Sequence, residues 1–431
     1  MLTAFGRAFK TPDLRRKLLF TLAMIGVYRL GSLVPGPGVS YVAIKHCLKL
    51  EQGNSLYGLV NLFSGGALLQ LSVFALGIMP YITSSIIIQL LIVVIPRLET
   101  LKEEGQSGQA KLTQYTRYLT VALAVLQSTG IVALARSGRL FPNCQEHIIP
   151  DASIMRIGVL VLTLTSGTAV IMWLGELVTD RGIGNGMSVL IFTSIISSMP
   201  AAAYRMTQQN NGGFILFGIG VLSVVVITLV VFVEQAQRRI PVQYAKRMIG
   251  RRMYGGTSTY IPLKVNQAGV IPVIFASSLL YLPQLLANVF GNNQRLQAFV
   301  QRYLVKGDHP LYLLSYFGLI VFFTYFYVAI TFNPVEVSDN MKKYGGFVPG
   351  IRPGRATAEY LDYILSRITS FGALYLGLVA VLPYLLFNLT AGANRFPFGG
   401  TAVLIVVGVG LETVKQVESQ LMLRNYESFL R

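Results

Sequence analysis

Charge is what this 431-residue chain has least of. Only 13% of its residues are Asp, Glu, Lys or Arg, about half the usual share of a soluble globular protein, and none lies between Glu51 and Arg97. Histidine is confined to His46, His147 and His309. No P-loop, glycine-rich nucleotide fingerprint, H-E-x-x-H or G-x-S-x-G occurs, so nothing marks a nucleotide, metalloprotease or serine-hydrolase centre. The apolar stretches hold almost no carboxylates, and Glu176 and Glu412 stand near the ends of theirs. An ion-coupled carrier needs such groups at membrane depth. These absences count against an enzyme and a secondary transporter. They favour a passive pathway driven from outside the chain, with no cofactor and no metal.

Cysteine is nearly as scarce. Cys47 and Cys144 stand in neither a CxxC nor a metal-ligand spacing. Both fall in loops assigned to the outer side, where a disulfide is open to them, although no larger cysteine framework requires one.

What the chain has is apolar sequence: 53% of residues are hydrophobic. Stretches of helical length fall at about 18–36, 76–95, 116–135, 155–175, 186–204, 214–233, 268–289, 311–331, 370–387 and 399–415, each near the roughly 20 residues that cross a bilayer. The expected fold is an all-α polytopic membrane protein with ten transmembrane helices. The first stretch follows Arg7, Lys10, Arg15, Arg16 and Lys17 with no A-x-A-like site after it, so it reads as a retained span rather than a signal peptide. Arg29, about 7 Å from its outer end by helical rise, is expected to snorkel to the interface.

The uncharged run from Gln52 to Pro96 is too long for one span and is broken by Gly65, Gly66, Gly77 and Pro80. Interrupted backbone at membrane depth is tolerated only where protein or a water-filled cavity surrounds it. Residues 57–74 therefore read as a re-entrant piece that dips in from the outer side. With both termini cytoplasmic, the inner loops collect 25 Lys and Arg and the outer loops 10, in line with the positive-inside rule; a crossing at 57–74 would reverse every later loop. The polar link from Gln208 to Gly213 divides the chain into an N-terminal half, 1–207, and a C-terminal half, 208–431, of five spans each. An odd number per half gives them opposite orientations, the topology of inverted repeats with a pathway between them. Two cytoplasmic loops, 234–267 and 333–369, are longer than orientation requires. The first alternates β-branched and aromatic residues with Arg, as an extended hairpin does, and its charge suits a large anionic partner.

Several segments together resemble the SecY family, the channel subunits of bacterial protein translocases. They include Leu62-FSGGAL-Leu68, Phe74-ALGIMPYI-Ile82, Gln114-YTRY-Tyr118, Leu174-GELVTDRGIGNG-Gly186, Arg238-RIPVQYAKR-Arg247, Gly269-VIPVIFASS-Ser278, Phe332-NP-Pro334 and Gly346-FVPGIRPG-Gly354. The resemblance runs end to end and carries expectations residue by residue. Segment 57–74, with Asn61, Leu62, Phe63, Ser64, Gly65, Gly66, Ala67 and Leu68, would be a plug. Ile82, Ile86, Met187, Ile191, Ile274 and Ile405 would form an apolar pore ring, which disfavours a continuous water file yet yields to a passing chain. Thr83, Ser84, Ser85 and Gln127 on one side, and Ser277 and Ser278 on the other, would make weak polar contacts across a lateral gate. Arg238, Arg239, Lys246, Arg247, Arg251, Arg252, Arg352 and Arg355 would meet the motor ATPase SecA or the ribosome and its rRNA. The resemblance further implies SecE and SecG as companion subunits, signal sequences and nascent chains as cargo, contact with membrane lipids, association with YidC and SecDF, and a place in the bacterial plasma membrane.

Overall fold

The computed structural model describes residues 9, 11–50, 64–138, 140–141, 144, 146, 148–150, 153–207, 212–244, 247–249, 252–254, 258–289, 309–389 and 400–429. The helices are α1 (Pro12–Leu33), α2 (Tyr41–Leu50), α3 (Met79–Val94), α4 (Pro96–Glu103), α5 (Gln106–Arg136), α6 (Ile154–Arg181), α7 (Gly186–Thr207), α8 (Gly212–Gln235), α9 (Ile271–Val289), α10 (Pro310–Thr331), α11 (Pro334–Lys343), α12 (Arg355–Leu389) and α13 (Gly400–Phe429). Each of the ten expected spans coincides with one of these. Five of them are long and apolar enough to cross a membrane by length and composition, and α3 with α4 makes a sixth if counted as one span. The described parts of α7, α8 and α9 hold shorter apolar helices.

Proline sets many of the helix starts. α1, α3, α4, α10 and α11 each carry one in the first turn, where its missing N–H has no intrahelical partner to lose. Asn333 caps α11 by accepting from the N–H groups of Val335 and Glu336. Ahead of Pro96, Ile95 is extended (φ −106°, ψ 109°), as a residue before proline tends to be, and α3 and α4 meet at 101°.

The second span begins at Met79, three residues later than the expected 76. Gly77 has φ +57° and keeps the chain out of the helix until Pro80 can start it. Residues 64–78 form successive turns instead, and they are buried: Ser64, Leu68, Leu71, Ser72 and Ala75 have no exposure. Of the expected plug residues, Asn61, Leu62 and Phe63 lie outside the described residues.

The expected hairpin in 234–267 forms from β1 (Gln237–Tyr244) and β4 (Ser258–Lys264), antiparallel from Gln237↔Lys264 to Gln243↔Ser258. Short strands β2 (Arg247–Ile249) and β3 (Arg252–Tyr254) pair beyond it. β5 (Gly346–Phe347), from the other long loop, adds to β1 through Gln243↔Phe347 and Tyr244↔Gly346. The sheet order is β4-β1-β5. Ile240, Val242, Leu263, Met341, Val348, Leu361 and Ile364 form one core beneath it, so the two long loops make a single lobe.

Nothing in the spacing of the two cysteines favours a disulfide, yet Cys47 and Cys144 are joined, with their Cα atoms 5.4 Å apart across 97 residues of sequence. α2 delivers the first sulfur, and the second lies in the segment between α5 and α6. Beside them His46 Nδ1 is 2.9 Å from Glu146 Oε1.

A candidate plugged waist

Buried backbone must find partners for its N–H and C=O groups, and segment 64–78 meets that demand in two ways. It bonds to itself: the N–H groups of Ala67, Leu71, Ala75 and Gly77 donate to carbonyls three residues earlier, and that of Leu68 donates to Ser64 Oγ at 3.1 Å. It also bonds to the chain just past α1. Gly36 N–H donates to the Leu71 carbonyl and Val73 N–H to the Val34 carbonyl, both at 2.9 Å, and Pro35 bridges Ser72. Tyr28 stacks on Phe74 with centroids 5.9 Å apart.

Arg29 does not behave as the snorkelling residue expected of it. Its Nη1 donates to the Gly65 carbonyl at 3.0 Å and lies 3.4 Å from Ser32 Oγ. Arg29 stands four residues before the end of α1. The irregular segment, which brings a carbonyl to that depth, supplies the partner.

On its other side the segment meets the waist. Phe74, Ile78 and Met79 share one apolar cluster with Met187, Leu190 and Ile191 of α7, Ile274 of α9, and Ile405 and Val409 of α13, and Ile82 packs against it. Five of the six expected ring residues thus gather around the inner end of segment 64–78. Ile86, one turn further along α3, packs instead with Val273, Phe275, Tyr316 and Leu404 in the neighbouring cluster, and Ile82 touches both. The Met187 thioether lies over Gly175 of α6, where a Cβ would come within 2.4 Å of the sulfur.

At the seam expected to serve as a lateral gate, α9 packs on α3 and α5. Among the described residues the polar contacts expected across it are not made. Thr83 and Ser84 donate to the carbonyls of Met79 and Pro80, and Ser277 donates to that of Ile274. Hydroxyls in helices commonly bond back one turn in this way, and here it removes them from the seam. Ser278 Oγ is buried without a hydrogen-bond partner, Gln127 is buried in α5, and Ser85 lines a cavity with Gln89, Gln109 and Thr113. Among the described residues this seam is therefore held by apolar contact.

In the lobe, Arg238 and Arg239 are exposed, with the Arg239 guanidinium 4.8 Å from the centre of the Tyr260 ring. Arg352 and Arg355 are exposed at the start of α12. The Arg352 carbonyl accepts from Thr357 Oγ1, Ser338 Oγ donates to the Gly354 carbonyl, and Arg355 Nε is 3.0 Å from Glu359 Oε1. Lys246 and Arg251 lie outside the described residues; Arg247 and Arg252 are described in β2 and β3 by backbone alone.

One pair escaped the sequence reading. Arg117 of α5 grips Glu176 of α6 with two bonds of 2.7 and 2.8 Å. The signal was present in the Gln114-YTRY-Tyr118 and Leu174-GE-Glu176 segments, but spacing along the chain does not show which helices are neighbours. The described residues bring together one group of potential metal ligands, Cys47, Cys144 and Glu146, and both its sulfurs are committed to the disulfide.

The SecY family profile matches residues 72–414. The chain belongs to the SecY family. A family member from Streptomyces galbus, a protein translocase subunit SecY, is 65% identical over 437 residues, covering 100% of each chain. Among solved structures, a SecY protein whose plug domain stabilises the closed state and maintains a membrane seal superposes with a TM-score of 0.64 at 18% identity, covering 94% of this chain and 92% of that one. Sec61 in a canine ribosome–channel complex from the endoplasmic reticulum gives 0.60 at 17% identity, with the same coverage of each chain. The fold is that of the SecY and Sec61 channels.

Proposed function

We propose that this chain is the membrane-spanning, protein-conducting subunit of a translocase: it passes unfolded proteins outward and releases hydrophobic segments sideways into lipid. One observation carries the reading. A buried, irregular segment, 64–78, ends against an apolar collar drawn from α3, α7, α9 and α13, which is the form of a stoppered neck rather than of a packed helical core. Segment 57–74 is the plug, of which 64–74 is described. Ile82, Met187, Ile191, Ile274 and Ile405 are the ring, and Ile86 continues it toward the gate. The seam of α3 and α5 against α9 is the lateral exit for signal sequences and membrane segments. The halves 1–207 and 208–431 are the inverted units.

The lobe built from both long loops presents Arg238, Arg239 and Arg352 to a driver. RNA phosphates or an acidic protein face meet such a surface, and the ribosome or SecA is that partner; SecE and SecG complete the complex. The lobe side, with both termini, faces the cytoplasm of a bacterial plasma membrane; the excess of Lys and Arg in its loops supports this orientation. The Cys47–Cys144 bridge at the opposite end fits the oxidising exterior.

The test is resting ion conductance of the assembled channel in planar bilayers. Ile274→Gly removes a buried ring side chain and is expected to raise the resting leak about tenfold. Conductance equal to the wild type would remove Ile274 from the seal.

A further inference from the structure

The geometry points to Arg29 as the residue that holds the plug in its seat, with the outer end of α1 as that seat. The inference rests on the reading of 64–74 as the plug. Nothing in the apolar pattern of the first span requires an arginine. Among the described residues no carboxylate pairs with Arg29, and a guanidinium at membrane depth is satisfied by acids or by backbone carbonyls. Here the Gly65 carbonyl, at the outermost described turn of the plug, takes the Nη1 proton at 3.0 Å.

Residue 65 is fitted for that contact. Its φ of +65° is the left-handed backbone that glycine adopts freely, and a Cβ there would stand 3.2 Å from Ser197 Oγ, 3.3 Å from Arg29 Nη1 and 3.3 Å from the Ser194 Cα. The missing side chain therefore lets the plug backbone enter between α1 and α7. Ser32, itself 2% exposed, steadies the guanidinium at 3.4 Å and donates to the Arg29 carbonyl at 2.7 Å. The preceding residue, Tyr28, has its Oη 2.6 Å from Ser194 Oγ and ties α1 to α7 beside the slot.

The plug needs such a hold because its root is strained. Leu71 has φ +45°, the one left-handed backbone outside glycine among the described residues, which an L side chain resists. Its carbonyl is kept in place by Gly36 N–H. A plug held at the root by backbone bonds and at the outer turn by one cation leaves in a defined order: breaking the Arg29–Gly65 contact frees the outer turn while 71–73 stay paired with 34–36. Arg29 is thus a positioning residue for the closed state and not part of the conduit.

The test uses the full complex in planar bilayers, with Ala67→Cys as a reporter read by a membrane-impermeant thiol reagent from the outer side. Ala67 is 1% exposed when seated. Arg29→Met is expected to raise both the resting conductance and the labelling rate of Ala67→Cys about tenfold, the scale set by losing a hydrogen bond to a charged group, with the melting temperature unchanged. Arg29→Lys keeps the charge but offers a compact ammonium in place of the planar fork, and is expected to fall between. Deleting residues 64–70 separates the two readings. If the deletion leaks and Arg29→Met does not, the seat assignment is overturned and the plug stands. If neither leaks, the plug reading fails and the inference with it. A leak in Arg29→Met with Ala67→Cys still protected, or one accompanied by a lowered melting temperature, would also overturn it.

Discussion

Around residues 64–74 the contacts are directional: Arg29 to Gly65, Gly36 to Leu71, Val73 to Val34, and close by the covalent bridge from Cys47 to Cys144. At the seam of α3 and α5 against α9 they are not. Thr83, Ser84 and Ser277 satisfy themselves within their own helices, and Ile82 joins the apolar clusters on either side of it. Directional bonds select one geometry and are lost one at a time. Apolar contact has no preferred direction, so two such faces can part and close again on any apolar segment between them. The end of the molecule that carries the bridge is built to hold one arrangement, and the seam to exchange one apolar neighbour for another.

The largest effect is expected at the bridge. Replacing Cys47 and Cys144 by serine is expected to cost about 2–5 kcal/mol, the range for a native disulfide closing a long loop. It is read as a fall in the melting temperature of the purified complex, and reductant should reproduce it in the wild type. An unchanged melting curve would mean that the outer end does not depend on the bridge. A smaller effect is expected from Gly167→Leu. A Cβ at Gly167 would lie 2.0 Å from the Val73 carbonyl oxygen, so the substitution must displace the root of the plug, at about 1–3 kcal/mol for overpacking and with a raised resting conductance. Gly158→Leu on the same helix, with nothing within 4 Å, is the control that should change neither. The smallest effects belong to the seam. Thr83→Val and Ser277→Ala are each expected to move stability by no more than about 0.5 kcal/mol and to leave signal-sequence release unaltered in a membrane-insertion assay. A strong defect from either would place a cross-helix hydrogen bond in the open gate.

The sequence made some of this legible and hid the rest for identifiable reasons. Ten apolar runs located ten helices because a span must be long and apolar wherever it packs. The break at Gly65-Gly66 marked the irregular segment that the structure shows as buried turns, because glycine pairs are costly in a helix. Other features depend on residues distant in sequence. Helical rise gave the depth of Arg29 but not the carbonyl facing it. Cys47 and Cys144 are 97 residues apart, and only the folded chain brings them together. β5 is two residues long, too short for any alternation, and exists because β1 offers it an edge. Thr83, Ser84 and Ser277 lie on helices that pack together, α3 and α9, yet composition cannot say whether a hydroxyl reaches across a seam or back along its own helix.

The central claim is that a polypeptide passes through the collar formed by both halves. The most direct measurement is crosslinking of a preprotein arrested in transit to channels carrying Ile191→Cys or Ile405→Cys, with Cys47 and Cys144 replaced by serine. The account predicts adducts from both positions, appearing only while the chain is in transit. Arrest with efficient targeting but no adduct at either position would contradict it.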